Sequence, residues 1–194
     1  METRYINESS DGIQEISLEA KQLSERKVFL TGDVNDNMAN EFTAKMIRLV
    51  ESSDPIDIIL NSPGGSVNAG LVIYDLLQEL DGKIPVNIYC TGMAASMGAV
   101  LLAGGQKGRR FILPHSKCMI HEPLIQGGVG GSASSIKKTA ESILETRSVT
   151  NGILAKHTGK TIEEIDEATS FDNYMNAEEA IRFGLCDEIR SIIG

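Results

Sequence analysis

The chain has little that would carry it into a membrane, onto nucleic acid or around a metal ion. Its longest apolar stretches, such as Gly98–Ala103 and Ile56–Leu60, fall far short of the roughly 20 residues that cross a bilayer as a helix, so a soluble protein is expected. Basic residues are in deficit: 18 Lys and Arg stand against 27 Asp and Glu, a net charge of -9 with a pI near 4.9. A protein that tracks phosphates concentrates Lys and Arg on one face, and nucleic acid is set aside on that ground. The start, Met1 to Glu8, carries two acids and no apolar run, so it lacks the basic and hydrophobic regions of a secretory leader. A cytoplasmic protein is expected.

Cysteine is also scarce. Cys90, Cys118 and Cys186 are odd in number, widely spaced and set among apolar neighbours, which reads as buried reduced thiols and not as a disulfide framework or zinc ligand set. With three histidines and neither H-E-x-x-H nor C-x-x-C, no metal or other cofactor is expected in this chain. Thr158-Gly159-Lys160-Thr161 imitates the end of a Walker A loop, but the first glycine of that motif falls on Leu154. No internal repeat, low-complexity tract or linker divides the 194 residues, a length that suits one domain.

What is present is an alternation of short apolar runs and longer helical patterns. Val28–Leu30, Ile56–Leu60, Val86–Cys90, Arg110–Leu113 and Cys118–His121 read as strands bounded by Gly, Pro, Asn or Ser. Met38–Val50 and Val67–Leu80 have apolar residues at helical spacing between the first three strands. This is the rhythm of an α/β domain with right-handed crossovers. Ser132–His157 reads as one long helix closed by Gly159. At about 25 residues it would reach roughly 37 Å, more than a domain of this size covers with its own core, and another subunit is the expected cover. Thr161–Glu164 reads as a capping box, Asn176–Glu179 opens a further helix that stops near Gly184, and Leu185–Ile189 is strand-like.

Two small-residue turns bear on chemistry. Gly92-Met93-Ala94-Ala95-Ser96-Met97-Gly98 places a serine between a strand and an apolar helix, the setting of the nucleophile elbow, with Ala94 in place of its first glycine. Asn61-Ser62-Pro63-Gly64-Gly65-Ser66 leaves backbone N–H groups bare at the end of another parallel strand. Each reads equally as a plain turn. The sharper reading makes the N–H groups of Gly65 and Met97 a two-donor oxyanion hole. Of the histidines, His115 follows Pro114 in a turn and His157 sits in a last helical turn as a favourable cation. His121, at a strand end beside a loop, is the better base. Asp166, Asp172 and Asp187 all remain open as its carboxylate partner, with a solvated surface role the default for Asp166 and Asp187.

Gly92–Gly98 together with Met119-Ile120-His121-Glu122-Pro123 resembles the two active-site signatures of the ClpP family of ATP-dependent proteases, and Ser62–Gly65 resembles its oxyanion turn. The similarity continues through Val28–Gly32, Ile73–Asp75, Arg110–Pro114 and Ala177–Leu185, and so covers the chain from about Arg26 onward. The resemblance implies a ClpP/crotonase-like spiral of ββα units, with a handle of one long helix and a short strand. It implies a serine endopeptidase with Ser96, His121 and Asp172 as its triad, Asp172 being chosen by its place before the Ala-Glu-Glu-Ala helix. It further implies an N-terminal axial segment over 1–25, a peptidase domain over 26–194 and an inter-ring handle over 124–160. The backbone of Gly127, Gly128, Val129 and Gly130 would pair with an extended substrate.

By the same resemblance, two seven-membered rings enclose a chamber, and an AAA+ unfoldase such as ClpX or ClpA/ClpC spends ATP to feed it unfolded polypeptide. The chain departs from the family in four places. Glu15–Leu23 replaces a more apolar segment, Ser170-Phe171 stands where an Asp-Arg pair is common, Glu122 follows the histidine where Gln is common, and the Leu124–Gly131 loop is longer than usual. These departures suit a divergent paralogue working in mixed rings, as a weakly active or structural subunit. The crotonases share the spiral without needing this serine and histidine.

Overall fold

Apolar runs too short for helices pair as a parallel sheet in the computed structural model, which describes residues 4–9, 12–125 and 127–192. In chain order the elements are β1 (Arg4–Ser9), β2 (Gly12–Ser17), α1 (Leu18–Ser24), β3 (Lys27–Thr31), α2 (Asp36–Leu49), β4 (Ile56–Ser62), α3 (Val67–Leu80), β5 (Val86–Ala95), α4 (Met97–Ala103), β6 (Arg110–Ile112), β7 (Lys117–Ile120), α5 (Ala133–Thr158), α6 (Ile162–Thr169), β8 (Asn173–Asn176), α7 (Ala177–Phe183) and β9 (Glu188–Ile189). The first two strands form a separate antiparallel pair. The other seven make one sheet, in the order β3-β4-β5-β6-β9, with β7 pairing β5 and β8 pairing β7. This mixed α/β architecture, mostly parallel, meets the expectation from the strand-helix rhythm.

Parallel strands covered on both faces need apolar side chains pointing both ways. The runs supply them: Ile58, Leu60, Ile88 and Ile112 are fully buried, as are Phe42 from α2, Ile73 from α3 and Leu102 from α4. Each such side chain contributes about 1.5–3 kcal/mol relative to exposure. The helices begin where their caps allow. Ser66 accepts from Ala69 N at the start of α3, and both α6 and α7 open with complete capping boxes, Thr161 with Glu164 and Asn176 with Glu179. Gly159 and Gly184 close α5 and α7 in the left-handed conformation.

Deviation from regularity in β5 is what builds the site. Its register with β4 runs Ile58↔Ile88 and Leu60↔Cys90, then slips to Ser62↔Ala94. Gly92, at φ 84°, lies in that bulge, and side chains hold it: Gly92 N donates to Ser116 Oγ at 2.7 Å and Met93 N to Asn61 Oδ1 at 3.1 Å. Below the bulge β5 pairs with β6, and above it with β7. The sequence reading ends this strand at Cys90, because Thr91–Ala95 are small and carry no strand signal. The strand in fact continues to Ala95.

Two expectations fail. Residues 127–131 form no strand, so the short strand of the handle is absent among the described residues. Gly127, Gly128 and Gly131 have positive φ, and the segment is exposed with no neighbouring strand to pair with. His157 is not a helix-end cation. Burial, with Lys156 and Arg110 nearby, holds its pKa below the usual histidine value, and Tyr74 Oη lies 2.9 Å from Nε2. The three cysteines are free and buried, as expected. Burial first, and the neighbouring Cys90, push the Cys186 thiol up to about 12.

Candidate active site

Strand register brings three distant residues to one edge. Ala95 pairs with Met119 across β5 and β7, and Ile120 pairs with Asn173 across β7 and β8. Ser96, His121 and Asp172 each lie one residue beyond those paired positions, so they meet above the ends of three adjacent strands. Sequence reading missed β8 altogether, since four residues around Tyr174 and Met175 become a strand only by pairing with β7.

Ser96 occupies φ 52°, ψ -121°, a conformation that costs a non-glycine residue about 1–3 kcal/mol. Surrounding contacts impose it. Ser96 N donates to Met119 O at 2.8 Å, and Ser96 O accepts from Ala99 N at 3.0 Å as α4 begins. The residues around it are small because nothing larger fits: a Cβ on Gly98 would lie 3.0 Å from Ser62 O, and Ala94 is fully buried. The strained turn turns the Ser96 hydroxyl out of the core toward His121.

His121 Nε2 lies 2.9 Å from Ser96 Oγ, and His121 Nδ1 lies 3.1 Å from Asp172 Oδ1. An ionised carboxylate only accepts, so Nδ1 carries the proton and donates to Asp172. Nε2 is then left to accept from the Ser96 hydroxyl. The histidine side chain is 16% exposed and the aspartate 58%. Glu122 N donates to Thr169 O at 2.8 Å, and Asn173 Nδ2 donates to Ala168 O at 3.1 Å, tying the segments on either side to the end of α6.

The proposed oxyanion donors sit beside this line. Gly64 packs on the elbow so closely that a Cβ there would lie 2.6 Å from Ser96 Cβ and 3.0 Å from Met97 N. Gly65 bridges Val34 in parallel fashion, through Val34 N to Gly64 O and Ser66 N to Val34 O, both at 2.8 Å. In that pattern the N–H of Gly65 itself points away from Val34. Met97 is the first residue of α4, so its N–H has no partner within the helix. A cavity of about 20 Å³ between Ser96, His121, Val67 and Pro123 adjoins a groove of about 530 Å³ that runs between Leu124, Ile125 and α5. The expected substrate-binding segment Gly127–Gly130 is exposed beyond Ile125.

The competing aspartates are occupied elsewhere, which corrects the default surface role for Asp187, while Asp166 stays 45% exposed. Asp187, 16% exposed, takes Arg110 in a two-pronged pair at 2.6 and 3.0 Å. Burial raises its pKa, but the Arg110 hydrogen bonds and charge outweigh that and leave it low. Asp166 accepts from Asn151 at 2.6 Å and faces Arg147 at 3.4 Å. Among the described residues no group of His, Cys, Asp and Glu could hold a metal ion, and no helix is long and apolar enough to cross a membrane.

A hydroxyl, an imidazole and a carboxylate in line at a strand-to-helix turn make the layout on which serine hydrolases operate. The family model of the Clp protease matches residues 10–192, and the chain belongs to that family. It is a protease subunit.

Proposed function

We propose that the chain is a serine endopeptidase in which Ser96 is the nucleophile, His121 the general base and acid, and Asp172 the carboxylate that orients it. The observation that carries this reading is the continuous line from Ser96 Oγ through both ring nitrogens of His121 to Asp172, at 2.9 and 3.1 Å. Ser96 Oγ attacks the scissile carbonyl carbon while Nε2 takes its proton. Asp172 stabilises the imidazolium that results. The carbonyl oxygen, now negative, accepts from the N–H groups of Gly65 and Met97, each worth about 2.7–4 kcal/mol in the transition state. His121 returns the proton to the leaving amine, and water then releases the acyl group by the same route.

The substrate is an unfolded polypeptide, and Gly127, Gly128, Val129 and Gly130, exposed and unpaired in the single chain, pair with it along the backbone only after extending. The chain works in the cytoplasm within two stacked heptameric rings, or in a mixed ring with a paralogue, and an AAA+ unfoldase of the ClpX or ClpA/ClpC kind supplies substrate at the cost of ATP. Residues 1–25 form the axial segment, and 124–160 the handle between rings. Support for the handle comes from α5, whose first half is exposed and which presents Ile136, Leu144 and, past its midpoint, Val149 at the surface. A weakly active or structural subunit of a mixed ring is the second reading. It is favoured by Phe171, 84% exposed beside Asp172, where the family commonly has an Arg.

Hydrolysis of a short fluorogenic peptide by wild type and Ser96→Ala, with the mass of the purified oligomer measured alongside, tests both. Turnover lost in Ser96→Ala from a homo-oligomer supports the first reading. A chain that stays small and inactive alone, and gains turnover only with a paralogue whose own serine is intact, supports the second.

A further inference from the structure

Arg147 lies in the middle of α5, half-buried against the body of the protein. Its Nε stands 3.5 Å from Glu122 Oε2 and its Nη2 3.4 Å from Asp166 Oδ1. Glu122 directly follows His121, while Asp166 lies on α6, six residues before Asp172. Asn151, one turn further along α5, is buried; its Nδ2 donates to Asp166 Oδ1 at 2.6 Å and to Thr169 Oγ1 at 3.3 Å. Thr169, fully buried, accepts the backbone N–H of Glu122. One side chain on α5 thus joins the segment that carries His121 to the segment that carries Asp172. The pairing of Ile120 with Asn173 and the Glu122–Thr169 backbone bond already set the two segments side by side, and Arg147 adds the tie of both to α5.

The geometry points to Arg147 as a positioning residue that clamps these two segments on α5 and so sets the alignment of His121 with Asp172 and Ser96. The Arg147 Nε atom is buried and has no hydrogen-bond partner, because Glu122 approaches to ion-pair distance only. A buried donor short of its acceptor is an unfavourable arrangement, and a slight shift of α5 or of the 122–125 segment would complete the bond. Contacts made along the exposed first half of α5 are therefore transmitted to the site at Arg147. An arginine is needed because one planar fork reaches two carboxylates on different elements, whereas a lysine offers a single point charge.

This inference rests on the proposed triad, and the test separates the two. Wild type, Arg147→Gln, Arg147→Lys and Arg147→Gln/Glu122→Gln are compared at equal oligomer mass for peptide turnover and for the rate at which a fluorophosphonate labels Ser96. The expected result for Arg147→Gln is a fall of about tenfold in kcat and in labelling rate, with KM within twofold, as for loss of alignment and not of binding. Arg147→Lys should recover part of the loss. Adding Glu122→Gln should recover at least threefold, since it removes the carboxylate that Arg147→Gln leaves unpaired beside His121.

The proposal is overturned if Arg147→Gln stays within twofold of wild type in kcat and labelling, or if the double variant is no better than the single. Should Arg147→Gln not fold, Glu122→Gln and Asp166→Asn each release one arm and should each lower kcat severalfold at constant KM; no change in either also overturns it. If wild type neither labels nor cleaves, the peptidase reading is what fails. The clamp is then judged by the ring proton of His121 bound to Asp172, read by NMR, which should broaden or move in Arg147→Gln and stay unchanged if the clamp does not exist.

Discussion

Replacing Gly64 by alanine should separate catalytic geometry from stability. Gly64 has φ +98°, and a Cβ there would sit 2.6 Å from Ser96 Cβ, 2.8 Å from Ala95 O and 3.0 Å from Met97 N. Ordinary contact begins about 3.4 Å or more away, so either the 62–66 turn or the elbow must move by close to an ångström. Two costs follow. The left-handed backbone alone costs about 1–2 kcal/mol, and overpacking adds about 1–3 kcal/mol. For a chain of this size their sum lowers Tm by roughly 4–20 °C.

A displacement of that size at the nucleophile costs about 100-fold in rate. Gly82→Ala provides the control: φ is +72° and a Cβ meets nothing within 4 Å, so it should lower Tm by a few degrees and leave turnover as it was. Calorimetry gives the first quantity, and peptide hydrolysis with fluorophosphonate labelling gives the second. If Gly64→Ala labels and cleaves within fivefold of wild type, the close packing of the 62–66 turn on the elbow does not govern the site, and the reasoning fails.

Asp172→Asn should lower kcat about 10²–10³-fold at neutral pH in a steady-state assay, short of the ~10⁴ lost with a buried triad carboxylate, because water shares the task at a side chain 58% exposed. Asp187→Asn leaves the buried Arg110 without its counter-charge, and should cost about 3–5 kcal/mol in a denaturant titration. His157 gives the fold an acid sensitivity. Its folded pKa lies below the unfolded value of about 6.5, so the unfolded chain takes up the proton first. Stability is complete above that pH and is lost as pH falls from it toward the folded value. Tm against pH should therefore fall through this window less steeply in His157→Gln than in wild type.

Much of the sheet was legible because its strands are apolar runs with punctuated ends. α3 is read to the residue, since Ser66 caps it and Asp81-Gly82 stops it. The elbow was legible as a serine among small residues, but its cause was not: the bulge at Gly92 depends on Asn61 and Ser116, which are near it only in the folded chain. β8 and the β1–β2 hairpin have no local signal strong enough to stand without a partner strand. That is also why Asp172 could not be told from Asp166 and Asp187 by its own neighbours. The structure separates them by register, placing one beside β7 and leaving the other two to Arg147 with Asn151 and to Arg110. Glu122 was legible only as a departure from the family pattern; its partner Arg147 lies 25 residues away on a helix whose expected cover is another subunit.

The central claim is that Ser96 is a nucleophile activated by His121. Its most direct test is mass spectrometry of the intact chain and its peptides after exposure to a fluorophosphonate. One adduct, on Ser96, is expected in wild type, with none in Ser96→Ala and a rate lowered by orders of magnitude in His121→Ala. An adduct on another residue, or one that persists unchanged in Ser96→Ala, would contradict the account.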